Sequence, residues 1–156
     1  RSRTSQSTAR RRAAGKSVER RGSDASVSRR LAPMTADASG TWTPLVASAE
    51  VTKQPSRVVL GGVPLVVWRA ARGRPAVFID RCPHKDFPLS TGRRTFFGRL
   101  VCDAHGWEFV ADGTCVRAPG RPLSEVAGRH ASVVECREAD GQLWVRTTPE
   151  GTPLVG

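Results

Sequence analysis

No apolar run approaches the roughly 18–20 residues of a membrane-spanning helix anywhere in the 156-residue chain, so a soluble protein without a transmembrane segment is expected. Sustained helical periodicity is lacking too; only Ser124 to Ala127 suggests a helical turn. Aromatic residues are missing from residues 1–33, and bulky apolar ones are almost absent before Leu31. Such a segment cannot bury enough surface to offset its ordering entropy, and a disordered tail is expected. Acidic residues are scarce there as well. Residues 1–33 hold ten of the 25 Lys and Arg but only Glu19 and Asp24, a net +8, whereas residues 34–156 carry +3. The tail is therefore the source of the extreme isoelectric point.

Several readings of this basic tail stay open. An Arg- and Ser-rich, acid-poor leader is what an organelle transit peptide looks like, which would place the protein in a plastid or other organelle. Alternatively Met34 is the true initiator, because Met34-Thr35-Ala36-Asp37 opens a compositionally ordinary segment; the protein is then cytoplasmic. Arg10-Arg11-Arg12 and Arg20-Arg21 have the charge to hold nucleic acid but no aromatic stacking partners, so that reading has the least support. A merely solvated tail is the bland alternative. The chain opens on Arg1 rather than Met, which suits a processed product or a fragment.

What is present beyond Trp42 is a series of short β runs divided by turn residues. Arg57 to Leu60 and Val63 to Arg69 flank Gly61-Gly62 as a hairpin, and Arg72 to Pro75 turns into Ala76 to Ile79. Asp112-Gly113 lies between Trp107 to Val110 and Thr114 to Arg117, and Asp140-Gly141 between Ser132 to Cys136 and Gln142 to Arg146. Many short strands with Gly-rich turns predict an all-β sandwich or barrel.

Four residues carry the chemistry. Cys82-Pro83-His84 is followed, after seventeen intervening residues, by Cys102-Asp103-Ala104-His105, giving C-x-H-x17-C-x2-H. Each short loop offers one thiolate and one imidazole. Zinc also takes two Cys and two His, but zinc-finger spacing pairs the His on one helix, whereas here each Cys is followed by its own His.

From about Trp42 to Val145 the chain resembles the Rieske domain of bacterial and plastid non-haem oxygenases and their ferredoxins. The likeness is carried by Pro64 to Arg69, Asp80-Arg81-Cys82-Pro83-His84-Lys85, Pro88-Leu89-Ser90, Leu100 to Cys102, His105-Gly106-Trp107-Glu108-Phe109, Asp112 to Val116 and Pro119. It implies a fold of stacked antiparallel sheets with a protruding cluster-binding subdomain of two ligand loops. The domain is taken as 42–147, with 148–156 as a tail. It implies one [2Fe-2S] cluster, with Cys82 and Cys102 on the inner iron and His84 and His105 on the outer one, both imidazoles at the surface. Two ferric ions, two sulfides and two thiolates sum to neutrality, so reduction creates a single negative charge; His ligation therefore raises the potential above that of four-Cys ferredoxins. Trp107 is expected to pack beneath the cluster, and Pro83, Pro88 and Gly106 to allow the tight loop paths.

The chain departs from its relatives in informative ways. High-potential members carry an extra Cys in each loop, joined as a disulfide, where this chain has Phe87 and Ala104. They also carry a Ser and a Tyr that donate toward the cluster, where this chain has Trp107 and Phe109. Many oxygenase members have Pro-Tyr in place of Asp103-Ala104, and an acidic side chain there lowers the potential. A low-potential centre near about −150 mV is expected. Oxygenases also carry a mononuclear iron on two His and a carboxylate; only His130 lies outside the motif, so no such triad can be built here and no catalytic site is expected.

The remaining candidates have plain readings. Cys115 and Cys136 sit in strand-like runs as small apolar residues, with a disulfide between them disfavoured in a reducing compartment. His130 reads as a surface loop residue, and Trp42, Trp68 and Trp144 as core or rim aromatics. Lys85, Arg93, Arg94 and Arg99 are either a docking surface for an acidic partner or a solvated basic loop. The leading functional expectation is one-electron transfer, from a reductase as donor to a non-haem iron oxygenase as acceptor. The alternative is the N-terminal Rieske portion of an oxygenase subunit whose catalytic domain is absent from this chain. A redox sensor with its basic tail on nucleic acid is a third, weaker reading.

Overall fold

A computed structural model describes residues 40–156. The basic tail 1–33 and Met34, with the readings attached to them, lie outside the described residues.

Strands follow in chain order as β1 (Thr41–Ala47), β2 (Ser56–Leu60), β3 (Val63–Arg69), β4 (Pro75–Ile79), β5 (Arg93–Arg94), β6 (Leu100–Val101), β7 (Glu108–Phe109), β8 (Cys115–Arg117), β9 (Cys136–Ala139) and β10 (Gln142–Thr147). A four-residue helix, α1 (Leu123–Val126), precedes β9. All strand pairing is antiparallel and falls into three sheets, β1-β10-β9, β2-β3-β4 and β5-β6-β7-β8.

The middle sheet organises the molecule because it is buried on both faces. In β3 the residues Leu65 to Trp68 are all at most 1 % exposed, and alternate side chains of a strand point to opposite faces. Val66 and Trp68, with Phe78 from β4, face one core that also contains Leu89, Leu100, Trp107 and Phe109. Leu65 and Val67, with Val77, face a second core closed by Val134, Leu143 and Val145. Each fully buried side chain of this size contributes about 1.5–3 kcal/mol relative to exposure. Trp68 also meets Phe78 edge-on, with ring centroids 4.7 Å apart. The result is three stacked layers, the small β5–β8 sheet and its loops lying on one side of the middle sheet.

Several elements differ from the sequence expectation. A strand was expected over Ser132 to Cys136, but β9 begins at Cys136. Residues 132–134 instead run along β4, where Ile79 N–H donates to the Ser132 carbonyl at 2.8 Å and Val134 N–H donates to that of Val77 at 2.9 Å. The chain then crosses from the β4 edge to the β10 edge, so one extended run serves two sheets. Strand β1 carried no clear signal because Pro44 interrupts it, and it lies at a sheet edge, where proline is tolerated. Residues 148–156, set apart as a tail, turn back on the domain: Leu154 N–H donates to Arg146 O and Gly156 N–H to Val133 O, both at 3.0 Å.

Candidate metal centre

The two Cys- and His-bearing loops, one following β4 and the other joining β6 to β7, close in the same way. In the first, Cys82 N–H donates to Phe87 O and Asp86 N–H to Cys82 O, each at 2.9 Å. In the second, Cys102 N–H donates to Trp107 O at 2.8 Å and Gly106 N–H to Cys102 O at 2.9 Å. The fourth residue after each Cys, Asp86 or Gly106, takes a left-handed φ of 53° or 69°. Superposed by these bonds, Cys82 matches Cys102, His84 matches Ala104, Lys85 matches His105 and Phe87 matches Trp107. The two histidines therefore sit one place apart within a repeated loop.

That offset gives the imidazoles different surroundings. His84 is half-buried and stacks on Trp107, with centroids 4.5 Å apart and planes within 8°, whereas His105 is exposed. The imidazole centroids are 4.9 Å apart. Cys82 and Cys102 are buried, in the core shared with Trp107, Phe109 and Leu89. Burial pushes the Cys82 thiol up to about 11; Cys102 beside it adds to the rise, and the backbone N–H groups of His84 and Lys85 oppose it. A buried pair of thiolates thus needs positive charge supplied between them.

The first loop is clamped at its base. The Asp80 carboxylate, its side chain wholly buried, accepts from Ser90 N–H and from Ser90 Oγ, both at 2.7 Å. These bonds join the residues just before and just after the loop. The second loop is followed by Glu108, which pairs with Arg117 at 2.9 Å and Arg99 at 3.2 Å and so ties β7 to β8 and to the turn before β6. Gly92 and Gly98 permit close backbone approaches, since a Cβ at either would strike the backbone of Val101 or Ala71.

The charged surroundings correct the expected basic patch. Arg94 turns away to the carbonyls of Arg69 and Ala70, and Arg99 is held by Glu108, so neither serves as a free docking charge. Arg93 pairs with Asp103 at 3.4 Å, partly neutralising the acidic residue beside the second loop. Lys85 stays at the loops and is joined by Arg121 and Arg129, which sequence reasoning missed. All three lower the proton affinity of His84, after the larger effect of its burial and that of His105. Pro119 brings this third segment in, lying where a Cβ on Gly106 would be 3.1 Å from its Cγ.

The other candidates fall elsewhere. Cys115 is buried, Cys136 half-buried, and both are free thiols. His130 is exposed and bridges Thr114. Trp68 is core, while Trp42 lies at the rim beneath Arg137, whose guanidinium is 4.2 Å from the ring centre. Trp144 is half-buried and donates from its indole to Ala139 O at 3.1 Å.

One atom tests whether a metal cluster fits. The Nδ1 of His84 is buried and has no hydrogen-bond partner. A buried polar atom left unpaired costs about 1–3 kcal/mol, and a metal bond would satisfy it. Burial, ahead of the neighbouring charges, lowers the proton affinity of His84, which favours the neutral form that ligates.

A pair of buried thiols and a pair of neighbouring imidazoles, on twin loops of an antiparallel domain, are the donor set of an iron–sulfur module. The family profile described as Rieske [2Fe-2S] domain matches residues 41–138. Chlorophyllide a oxygenase of Chlamydomonas reinhardtii is 36 % identical over 105 residues, covering 67 % of this chain and 16 % of the relative. Phenoxybenzoate dioxygenase subunit alpha of Ectopseudomonas oleovorans is 40 % identical over 81 residues, covering 52 % of this chain and 20 % of that one. Among solved structures, dicamba monooxygenase bound to dicamba aligns with a TM-score of 0.62 and 29 % identity over 69 % of this chain and 34 % of its own. The chain belongs to the Rieske [2Fe-2S] domain family, and with that membership goes one Rieske-type [2Fe-2S] cluster. It spans only a minor part of the length of these relatives.

Proposed function

We propose that Cys82 and Cys102 hold one iron of the cluster and His84 and His105 the other, and that the chain transfers single electrons from a reductase to a non-haem iron oxygenase. The observation that carries this reading is the partnerless, buried Nδ1 of His84, two residues along the loop from the buried thiol of Cys82. Bound there, the cluster supplies a centre that exchanges one electron without forming or breaking covalent bonds in the protein. The residues of the chain set the conditions. Trp107, Phe109 and Leu89 exclude water from the thiolate side, and backbone N–H groups of His84 and Lys85 face the Cys82 sulfur. His84 is shielded by the Trp107 ring, whereas exposed His105 gives a partner's redox group an edge to approach.

A second reading places the chain as the Rieske part of an oxygenase subunit. It is supported by the relatives, which are oxygenase chains that this one covers by 16 % and 20 %. The chloroplast relatives chlorophyllide a oxygenase and TIC 55 support a plastid location. Among the described residues no helix is long and apolar enough to cross a membrane.

Low-temperature EPR of the anaerobically purified, dithionite-reduced protein tests the assignment. A rhombic signal with the depressed average g of a nitrogen-ligated [2Fe-2S] centre is expected, and it should be lost in His84→Ala and His105→Ala. Stoichiometric zinc with no such signal would overturn the reading.

A further inference from the structure

A folded domain seldom leaves two adjacent phenylalanines in water, yet Phe96 is 90 % exposed and Phe97 71 %. They are the central residues of the turn that joins β5 to β6, closed by Gly98 N–H donating to Thr95 O at 3.0 Å and Thr95 N–H to Arg99 O at 2.8 Å. The turn is fixed at its base. Arg94 donates to the carbonyls of Arg69 and Ala70, the Trp68 indole reaches Gly98 O at 3.5 Å, and Gly98 presses on the backbone of Ala71. The two rings meet edge-on with centroids 5.7 Å apart, so they form one apolar tip. Cations surround it. Arg72 and Arg74 follow Ala71 between β3 and β4, and neither guanidinium has an acidic partner among the described residues. The guanidinium of Arg99 lies 5.9 Å from the centre of the Phe97 ring. Asp112 shares a groove with Arg74 and Phe97, but its carboxylate is turned to Thr114 N–H at 2.9 Å.

We propose that this tip anchors the domain to an anionic lipid bilayer, with Phe96 and Phe97 entering the boundary between headgroups and acyl chains and Arg72 and Arg74 lying against the phosphates. Two observations favour a bilayer over a protein partner. The rings sit at the crest of a turn, so a protein would need a matching pocket, whereas lipid closes around any convex apolar tip. The unpaired arginines beside it complement anionic headgroups, and their long stems let the charge stay at the surface while the rings go deeper. The tip is also at the far end of the β5–β6 hairpin from Cys102, which follows β6, so anchoring there makes no demand on the second loop. The inference is independent of the electron-transfer reading above.

The test is flotation of the full, cluster-loaded chain with vesicles of about 70 % phosphatidylcholine and about 30 % phosphatidylglycerol. Residues 1–33, with their net +8, add an attraction of their own, which salt removes. Phe96→Ser/Phe97→Ser should lower partitioning about tenfold, and that ratio should persist at about 0.5 M salt, where the charges are screened. Phe96→Leu/Phe97→Leu should restore most of the loss. Arg72→Gln/Arg74→Gln should lower partitioning about tenfold at low salt and leave it unchanged on vesicles of phosphatidylcholine alone. Val59→Ser is the control: Val59 is 59 % exposed on β2 opposite Pro64, about 17 Å along β3 from Arg69, and its loss should change nothing. All the substituted side chains are exposed, so every variant should keep a normal cluster spectrum. Equal partitioning of the native chain and Phe96→Ser/Phe97→Ser at both salt concentrations overturns the anchor. Loss of a concentration-dependent dimer in that variant, with vesicle binding unchanged, overturns it in favour of contact between two copies of the chain.

Discussion

Replacing Asp80 by Ala should do more damage than its distance from the thiolates suggests. The carboxylate is wholly buried and accepts two hydrogen bonds from Ser90, from N–H and Oγ, each 2.7 Å long. A hydrogen bond to a charged group contributes about 1.5–3 kcal/mol net, and donors left unpaired add their own desolvation cost. Arg57, 3.8 Å away and half-exposed, adds at most about 1 kcal/mol. The two bonds share one carboxylate and do not sum fully, so about 3–4 kcal/mol is expected for Asp80→Ala, more than a hundredfold in the unfolding equilibrium. Asp80→Asn should cost about half of that, because its amide oxygen still accepts from Ser90 N–H. Urea unfolding followed by tryptophan fluorescence measures these values. A cycle with Ser90→Ala should give a coupling of about 1–2 kcal/mol. Because the clamp closes the loop holding Cys82 and His84, iron content per chain should fall in parallel. A cost for Asp80→Ala below about 0.5 kcal/mol, or no coupling to Ser90, would show that the base of the loop is held by something else.

Gly106→Ala places a Cβ 3.1 Å from Pro119 at a φ of 69°, and should cost about 1–2 kcal/mol in the same unfolding assay and reduce iron occupancy. Trp107→Leu uncovers His84; water admitted beside the centre stabilises its extra negative charge, so an EPR-monitored redox titration should show a higher potential than the native value. The native potential itself should lie near about −150 mV, and a value well above zero would contradict the reading of Trp107 and Phe109. Glu138 is held below the usual carboxylate range chiefly by its hydrogen bond from Arg69; burial opposes this, and Ser48 and the charge of the guanidinium add smaller lowering effects. A group with a depressed folded value stabilises fully above its unfolded value and loses that contribution as pH falls through the folded one. Stability should therefore decline below pH 4.5, the ordinary value for this carboxyl, and Arg69→Gln should flatten the decline in urea titrations between pH 6 and 3.

The family was legible because the motif's spacing is chemical rather than periodic: two Cys and two His at fixed short intervals survive any uncertainty about strands. The hairpins at Gly61-Gly62, Asp112-Gly113 and Asp140-Gly141 were legible from turn residues, and β3 from an apolar run buried on both faces. Strands β5, β6 and β7 were too short, at two residues each, to carry an alternation. Their neighbours decide them instead, through Gly92 and Gly98 pressed against other backbones. Arg121 and Arg129 were invisible as site residues because a third segment brings them in. Arg94 and Arg99 look equally free in sequence, yet folding gives them carbonyls and a carboxylate to hold.

The single-place offset between the histidines of the repeated loop has a consequence for anyone who would rebuild the site. A duplicated loop with both imidazoles in the second place after cysteine would seal them inward and leave nothing for a partner to touch. With both in the third place, two rings would stand in solvent, easily displaced. On the proposed ligation, the arrangement here would leave His84 a strut packed on Trp107 and His105 the exposed ring open to a partner. A transplanted loop pair should keep that division before anything else is adjusted.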